Sequence, residues 1–541
     1  MFKLTNTAIH VLRLFTLAGL LFSVNHLCVA DDDFICNKWQ VFDMKFKYKG
    51  KLSDPFSLQF GAVLSHESGN TTTLQGFYND NEEWIIRFCP PLEGQWNFIT
   101  FSSEPKLAGK EGVITVQPKD KLDEHGPVII SKENPQKFIY ADGTSYFQMA
   151  FELDWLFALD WDNKEDIPKT REIITHIREN KFNHVVMNVY AYDASWGERD
   201  KIDPKYNFAR PGIFPFGGSN EQPDYSTLNI DFFKHLDRVI AHLDQKEIIA
   251  HLMIYVWNKK VNWPEPDSQA DNMYFDYVVK RYQAFPNLIW DISKEALAYG
   301  REDMTYISER INRLRKLAGH SRLLTVHDYT YCNAFPGKVD FISIQNWRPN
   351  IYDIMLNVKH KHPDKPIFNI EHGGYEKSIH QIFRGAYDDA VACLDRNYQC
   401  AFAGSYSTYY WQNTSWYEVI YEPQELPKEN QPKMAYYKNM AGLFTAFDFN
   451  LLVPDISISN TACLTDHERV YLFYIPRDMI ALQGDFGELK DKNVKIKWFD
   501  PFTGQFHGNE VLSFDDGTWK TFSIDPDISS PFCIAVLEII N

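Results

Sequence analysis

At 541 residues the chain is too long for a single compact core and divides into roughly two to four domains. Its 44% hydrophobic and 23% charged residues are those of an ordinary globular protein. The formal net charge of −17 leaves no basic face for phosphate neutralisation, which excludes nucleic acid as a partner, and no lysine-rich amphipathic run suggests a membrane surface.

Lys3 and Arg13 precede the apolar run LFTLAGLLFSV and the small-residue ending Cys28-Val29-Ala30, before Asp31-Asp32-Asp33. This is the pattern of a signal peptide, residues 1–30, cleaved after Ala30. The expected location is secreted or periplasmic, without membrane contact after cleavage; the run is short of a full span, which disfavours a retained anchor. Seven cysteines remain after cleavage (Cys36, Cys89, Cys332, Cys393, Cys400, Cys463, Cys533), without metal-ligand spacing. In an oxidising compartment Cys36–Cys89 or Cys463–Cys533 bridges are expected, and the odd count leaves at least one thiol free. Asn70 and Asn413 open Asn-x-Ser/Thr sequons.

Residues 31–125 alternate in hydrophobicity, with Phe42, Met44, Phe46 and Tyr48 on one face, and predict an N-terminal immunoglobulin-like β-sandwich. The polar stretch QPKDKLDEHGP reads as a linker. Over residues 126–447 apolar runs alternate with amphipathic helical stretches such as DIPKTREIITHIREN and IDFFKHLDRVIAHLDQ. The strands are SYFQMAFEL, NHVVMNVYAY, EIIAHLMIYVW, NLIWDIS, RLLTVHDY, VDFISIQNW, KPIFNIE and CAFAGSYSTYY, eight in number, which predicts a (β/α)₈ TIM barrel. The short connection after the fifth leaves little room for its helix. A doubly wound sheet is the second choice, but no glycine-rich phosphate loop follows the first strand. Alternation returns over residues 448–541 (RVYLFYI, VKIKWFDPFTGQF, FCIAVLEI) and predicts a C-terminal β-sandwich.

Barrel enzymes carry their working residues at the C-terminal strand ends. Those ends hold Glu152 and Asp154, Asn188 and Tyr190, Tyr255 and Trp257, Lys294 and Glu295, His327 and Asp328, Asn346 and Trp347, Glu371 and His372, and Tyr410 and Trp411. Glu295 and Glu371 stand apart, because each closes a strongly apolar strand, the fourth and the seventh, 76 positions apart. Two carboxyls about 5–5.5 Å apart, one protonated and one ionised, are what a retaining glycosidase requires. The other reading is a pair of strand-end carboxylates in structural ion pairs.

FPNLIWDISKEA and KPIFNIEHGGYE resemble the acid/base and nucleophile segments of the clan A retaining glycoside hydrolases. KWQVFDMKFKY, GFYNDNEEWIIRFCPPLEGQWNF, YADGTSYFQMAFELDW and WFDPFTGQF resemble a group of secreted bacterial proteins within that class. These combine an N-terminal sandwich of unknown function, an apiosidase-like barrel and a small C-terminal sandwich. The resemblance implies a cofactor-free, metal-free hydrolase of O-glycosidic bonds in a poly- or oligosaccharide, with Glu295 as acid/base and Glu371 as nucleophile. It also implies a substrate-stacking Trp411 on the eighth strand.

One position departs from that clan, which has Asn immediately before the acid/base; here it is Lys294. An ammonium donates but cannot accept, and its charge would lower the Glu295 pKa. Two readings stand level: Lys294 binds an anionic sugar, or it turns to a carboxylate in the barrel wall. Asp154, Asn188, Tyr190, Trp257, His327, Asn346, Trp347 and His372 complete the expected substrate-binding set. Glu152 and Asp154 are expected to face opposite ways, so that at most one enters the site. The long loop from Ala194 to Asn229 is expected to wall the cleft. The competing classes are a non-catalytic carbohydrate-binding or cell-surface scaffold that keeps the barrel, and a transglycosylase using the same residues.

Overall fold

The computed structural model describes residues 33–540 apart from 51, 53, 195–198, 300–302, 381–385, 412–415, 477 and 515–517. The signal-peptide segment and the Asn413 sequon lie outside the described residues.

The centre is a parallel barrel of eight strands: β1 (Ala150–Glu152), β2 (His184–Asn188), β3 (Ile249–Val256), β4 (Leu288–Lys294), β5 (Leu324–His327), β6 (Ile342–Gln345), β7 (Ile367–Glu371) and β8 (Tyr406–Trp411). Helices α1 (Pro168–Glu179), α2 (Ile230–Gln245), α3 (Gln269–Tyr282), α4 (Met304–Leu317), α5 (Tyr329–Ala334), α6 (Ile351–Lys361), α7 (Ala390–Phe402) and α8 (Met434–Ala446) follow the strands in turn. Nearly every strand residue is buried, because the helices cover one face and the barrel interior covers the other. The helix after β5 shrinks to the six residues of α5, as the short connection implies.

Ladder pairing runs β5-β4-β3-β2-β1-β8-β7-β6, and side chains stitch the remaining seam between β5 and β6. Leu324 N donates to Asp340 Oδ2 at 2.7 Å, and Thr325 Oγ1 donates to the Phe341 carbonyl at 3.0 Å. Inside the barrel a polar layer connects strands. His184 Nε2 lies 3.2 Å from His251 Nδ1, and His251 Nε2 lies 3.2 Å from Asp291 Oδ2.

The N-terminal part forms a five-stranded sheet facing a three-stranded one (Phe42–Lys47, Phe77–Tyr78, Glu83–Phe88), with Met44, Phe46, Leu64, Trp84, Trp96 and Phe98 between them. The C-terminal part builds a six-stranded sheet and a two-stranded one around Phe473, Leu482, Ile496, Trp498 and Leu537. Neither expected disulfide is present: all seven described cysteines are free and buried. Cys89 Sγ turns instead to the Trp39 carbonyl at 3.2 Å. Cys463 pairs with Phe473 across its ladder, whereas Cys533 lies one strand further on, opposite Ile475.

The N-terminal sheets dock on the barrel through buried charge. Arg87 donates to Asp43 at 2.7 and 3.0 Å and to Asp237 of α2 at 3.2 and 3.1 Å. Arg281 of α3 also clamps Asp237, at 2.9 and 2.6 Å. Burial alone would raise the Asp237 carboxyl, but the Arg281 and Arg87 guanidinium groups outweigh it and hold it below the usual range. Removing one partner of a buried pair costs about 3–5 kcal/mol. Arg87→Ala should therefore lower the first calorimetric unfolding transition by several degrees; an unchanged transition would contradict this docking.

Candidate active site

The site forms where β4 breaks its own alternation. Asp291 pairs with Thr325, yet Lys294 pairs with His327, so β4 carries one extra residue there, a β-bulge. The His327 N–H donates to Asp291 Oδ1 at 2.9 Å, a side-chain acceptor beside the irregular step. The bulge lets Asp291 and Lys294 both face the barrel interior, although they are three positions apart. Glu295 follows in the left-handed region, with φ of 57°, unusual for a non-glycine residue, and faces the mouth.

Lys294 is 1% exposed. Its Nζ lies 2.9 Å from Glu371 Oε1, 3.2 Å from Glu152 Oε1 and 3.5 Å from Asp154 Oδ2. Three ammonium hydrogens meet three carboxyl groups. Glu371 Oε2 accepts from Gln345 Nε2 at 2.7 Å and from the Tyr375 hydroxyl at 2.9 Å. Glu295 Oε2 accepts from Asn258 Nδ2 at 2.6 Å. Glu295, Glu371 and His327 each bring one oxygen or nitrogen within 4.8 Å of the other two. Such a trio has donors suited to a cation, and the Lys294 ammonium already holds that electrostatic position against Glu371.

The two glutamates are driven apart electrostatically. Burial, then the charge of Glu371, pushes the Glu295 carboxyl up to about 7, against the pull of Lys294 and Lys259. Burial would raise Glu371 too, but the Lys294 ammonium and the hydrogen bonds overcome it and hold that carboxyl at about 2. Burial and the Lys294 charge lower His327 to about 4, so its ring is neutral near pH 7 and Lys294 is the cation that Glu371 faces. Burial and the adjacent Asp154 push the Glu152 carboxyl well above its ordinary value. Near neutral pH the mouth therefore presents one ionised carboxyl group beside one that still carries its proton about half of the time. That is what acid-assisted displacement at carbon requires.

Of the residues expected from the sequence, Glu295, Glu371, Lys294, Asp154 and His327 are brought together. Of the two readings of Lys294, the geometry matches the second: its Nζ turns to carboxyl groups of the barrel interior, Glu152, Asp154 and Glu371. Glu152 and Asp154 both reach Lys294, as positions i and i+2 share a face of an extended chain. Tyr190 leaves the site: its ring packs among Phe157, Phe214, Phe232 and Trp263. His372, next to Glu371, points to the opposite side; its Nδ1 accepts from Gly374 N and its carbonyl accepts from Arg396 of α7. Asn346 Oδ1 closes a turn by accepting from Arg348 N at 3.1 Å.

Asn188 shares the interior face of β2 with His184 and is buried. Trp257 stacks on Tyr255 and is mostly buried, and Trp411 is 1% exposed, which leaves no open indole face for a sugar. Trp347 is half-buried, edge-on to Tyr375. Gly373 (φ 82°) passes so close to Trp347 that a Cβ would lie 2.8 Å from its ring.

Four contributors escaped the sequence reading: Asn258, Lys259, Gln345 and Tyr375. Lys259 lies 3.6 Å from Asp154 and 4.7 Å above the Trp416 ring. Each sits one to four positions from a strand-end residue already singled out, and that proximity was the available signal. The loop between Ala194 and Asn229 bridges two neighbours of the mouth. Phe208 N donates to the Tyr417 carbonyl, and the Tyr225 hydroxyl donates to the Asn262 carbonyl. A separate cavity of about 340 Å³, lined by Trp39, Tyr140, Asp244 and Phe285, lies at the opposite, N-terminal end of the strands.

Residues 132–440, more than half of the chain, match the apiosidase-like catalytic domain. The chain belongs to the apiosidase-like family. Residues 35–103 match a domain of unknown function, DUF5060. A candidate glycoside hydrolase from Bacteroides vulgatus superposes with a TM-score of 0.77 at 20% identity, over 94% of this chain and 100% of that one. A family 5 glycoside hydrolase from the same organism gives 0.55 at 16% identity, over 77% and 93%. A further glycoside hydrolase gives 0.54 at 16% identity, over 76% and 97%. No curated protein matches. At these identities the superpositions establish a fold shared with glycoside hydrolases, a TIM barrel flanked by β-sheet domains.

The raised Glu295 pKa has a thermodynamic consequence. The unfolded chain releases this proton near 4.5 and the folded protein near 7. Between those values the folded state holds a proton that the unfolded state has lost, so stability falls as pH rises through the window. Glu295→Gln removes that penalty. Its melting temperature relative to wild type should climb between about pH 4 and pH 8; a flat difference would contradict the raised pKa.

Proposed function

We propose that the protein is a secreted retaining glycoside hydrolase acting on a poly- or oligosaccharide. The observation that carries this reading is the closeness of Glu295 and Glu371, within 4.8 Å through one oxygen each. Retaining enzymes place these groups about 5–5.5 Å apart, whereas inverting ones leave roughly 6.5–9.5 Å for a water. Glu371, ionised by its Lys294, Gln345 and Tyr375 contacts, attacks the anomeric carbon. Glu295 gives its proton to the leaving oxygen, so the glycosidic bond breaks as the ester to Glu371 forms. Glu295, now ionised, takes a proton from water, whose oxygen displaces Glu371 and regenerates both groups.

Trp347, half-buried at the mouth, is the remaining candidate for a contact to a sugar ring, whereas Asp154, Asn188 and His327 are buried and line the interior below it. The proposed division is a signal peptide (1–30), an N-terminal sandwich (31–125), the catalytic barrel (126–447) and a C-terminal sandwich (448–541). Export agrees with the signal-like leader, and no helix among the described residues is long and apolar enough to cross a membrane.

An activated 2-fluoro-glycoside panel followed by peptide mass spectrometry tests the reading. Glycosylation should map to Glu371 and vanish in Glu371→Ala. Absence of labelling across a broad panel would instead favour a binding protein that keeps the barrel without turnover.

A further inference from the structure

We infer that Lys294 is a positioning residue that keeps Glu371 ionised and aimed at the anomeric carbon, through the Nζ–Oε1 contact of 2.9 Å. This deepens the reading of Glu371 as nucleophile and rests on it. The side chain is presented inward by the β4 bulge and is otherwise held by Glu152 at 3.2 Å and Asp154 at 3.5 Å. Asp154 does not react, so it stays beside the ammonium while Glu371 carries the glycosyl ester. Glu152, whose carboxyl is pushed upward by burial and the adjacent Asp154, fills the third direction. The cage thus orients the cation toward Glu371.

Among the described residues, several elements bring titratable or polar groups toward Glu371, with Tyr299 of the segment after β4 acting on it through charge. β1 contributes Glu152 and the turn after it Asp154, the segment after β3 contributes Lys259, and β4 contributes Lys294 with Glu295 directly after it. β5 contributes His327, β6 Gln345, the segment after β7 Tyr375, and β8 Tyr410. Lys259 is turned to Asp154 and the Trp416 ring. His327 is neutral near pH 7, which leaves Lys294 as the cation in direct contact with the carboxylate. The lysine that stands in place of an amide is thus in direct contact with the nucleophile.

The test compares wild type, Lys294→Met and Lys294→Arg by the pH dependence of labelling with a 2-fluoro-glycoside bearing a good leaving group. Its rate needs Glu371 ionised but does not need Glu295 as acid. Lys294→Met should move the acid limb upward by about 1–3 pH units, and Lys294→Arg should restore most of the shift. An unmoved limb in a folded Lys294→Met protein overturns the proposal while leaving Glu371 as nucleophile. If wild type is not labelled, the reading of Glu371 fails on its own. The carboxyl ¹³C titration of Glu371, assigned through Glu371→Gln, then decides the Lys294 effect without substrate, with the same shift expected. Where Lys294→Met does not fold, Lys294→Gln removes the charge, keeps a donor in the cage and carries the same prediction.

Discussion

The site depends on one buried ion pair, Lys294 with Glu371, and on the bulge that makes it geometrically available. On a regular strand Asp291 and Lys294 would face opposite sides, and either the polar core layer or the pair would be lost. The extra residue in β4 lets Asp291 anchor both His251 and the His327 N–H while Lys294 still points inward. The same irregularity delivers Glu295 in a left-handed conformation at the strand end. Backbone strain and buried charge are thus concentrated in one short stretch, which is where function places such features.

From this pair the division of labour between the glutamates follows. Two carboxyl groups this close in a partly dry mouth cannot both ionise easily, and whichever has the better cation loses its proton first. Lys294 and Tyr375 converge on Glu371 and Gln345 acts on both glutamates, whereas Glu295 has Asn258 and a half-open position. The asymmetry arises from the surroundings, since the residues themselves are identical. Distant architecture contributes by holding the strands in register. The Leu324–Asp340 and Thr325–Phe341 contacts close the barrel seam, and the Arg87–Asp237–Arg281 cluster fastens the N-terminal sheets to α2 and α3.

Much of the fold was legible because burial on both faces turns each barrel strand into a continuous apolar run, and eight such runs alternate with amphipathic helices. Glu295 and Glu371 were legible because a carboxylate closing such a run is conspicuous. The orientation of Lys294 was not, because a bulge leaves no mark in a single sequence and simple alternation gave no answer. Tyr190 and His372 looked eligible by position alone; packing sends the first into an aromatic cluster, and alternation turns the second toward α7. Trp411 ends β8 where the family resemblance implied a stacking platform, but its neighbours bury it. Gln345 and Tyr375 went unnoticed because amides and phenols become informative only when their partner is known. Spacing likewise could not show that Cys463 and Cys533 lie on non-adjacent strands.

The central claim is that Glu371 displaces the leaving group directly, and not through a water held between distant carboxyl groups. The measurement that tests it most directly is proton NMR of the anomeric signal in the first product formed from any glycoside the enzyme turns over. The account predicts that the product appears with the anomeric configuration of the substrate and only later mutarotates. Initial appearance of the opposite anomer would contradict it.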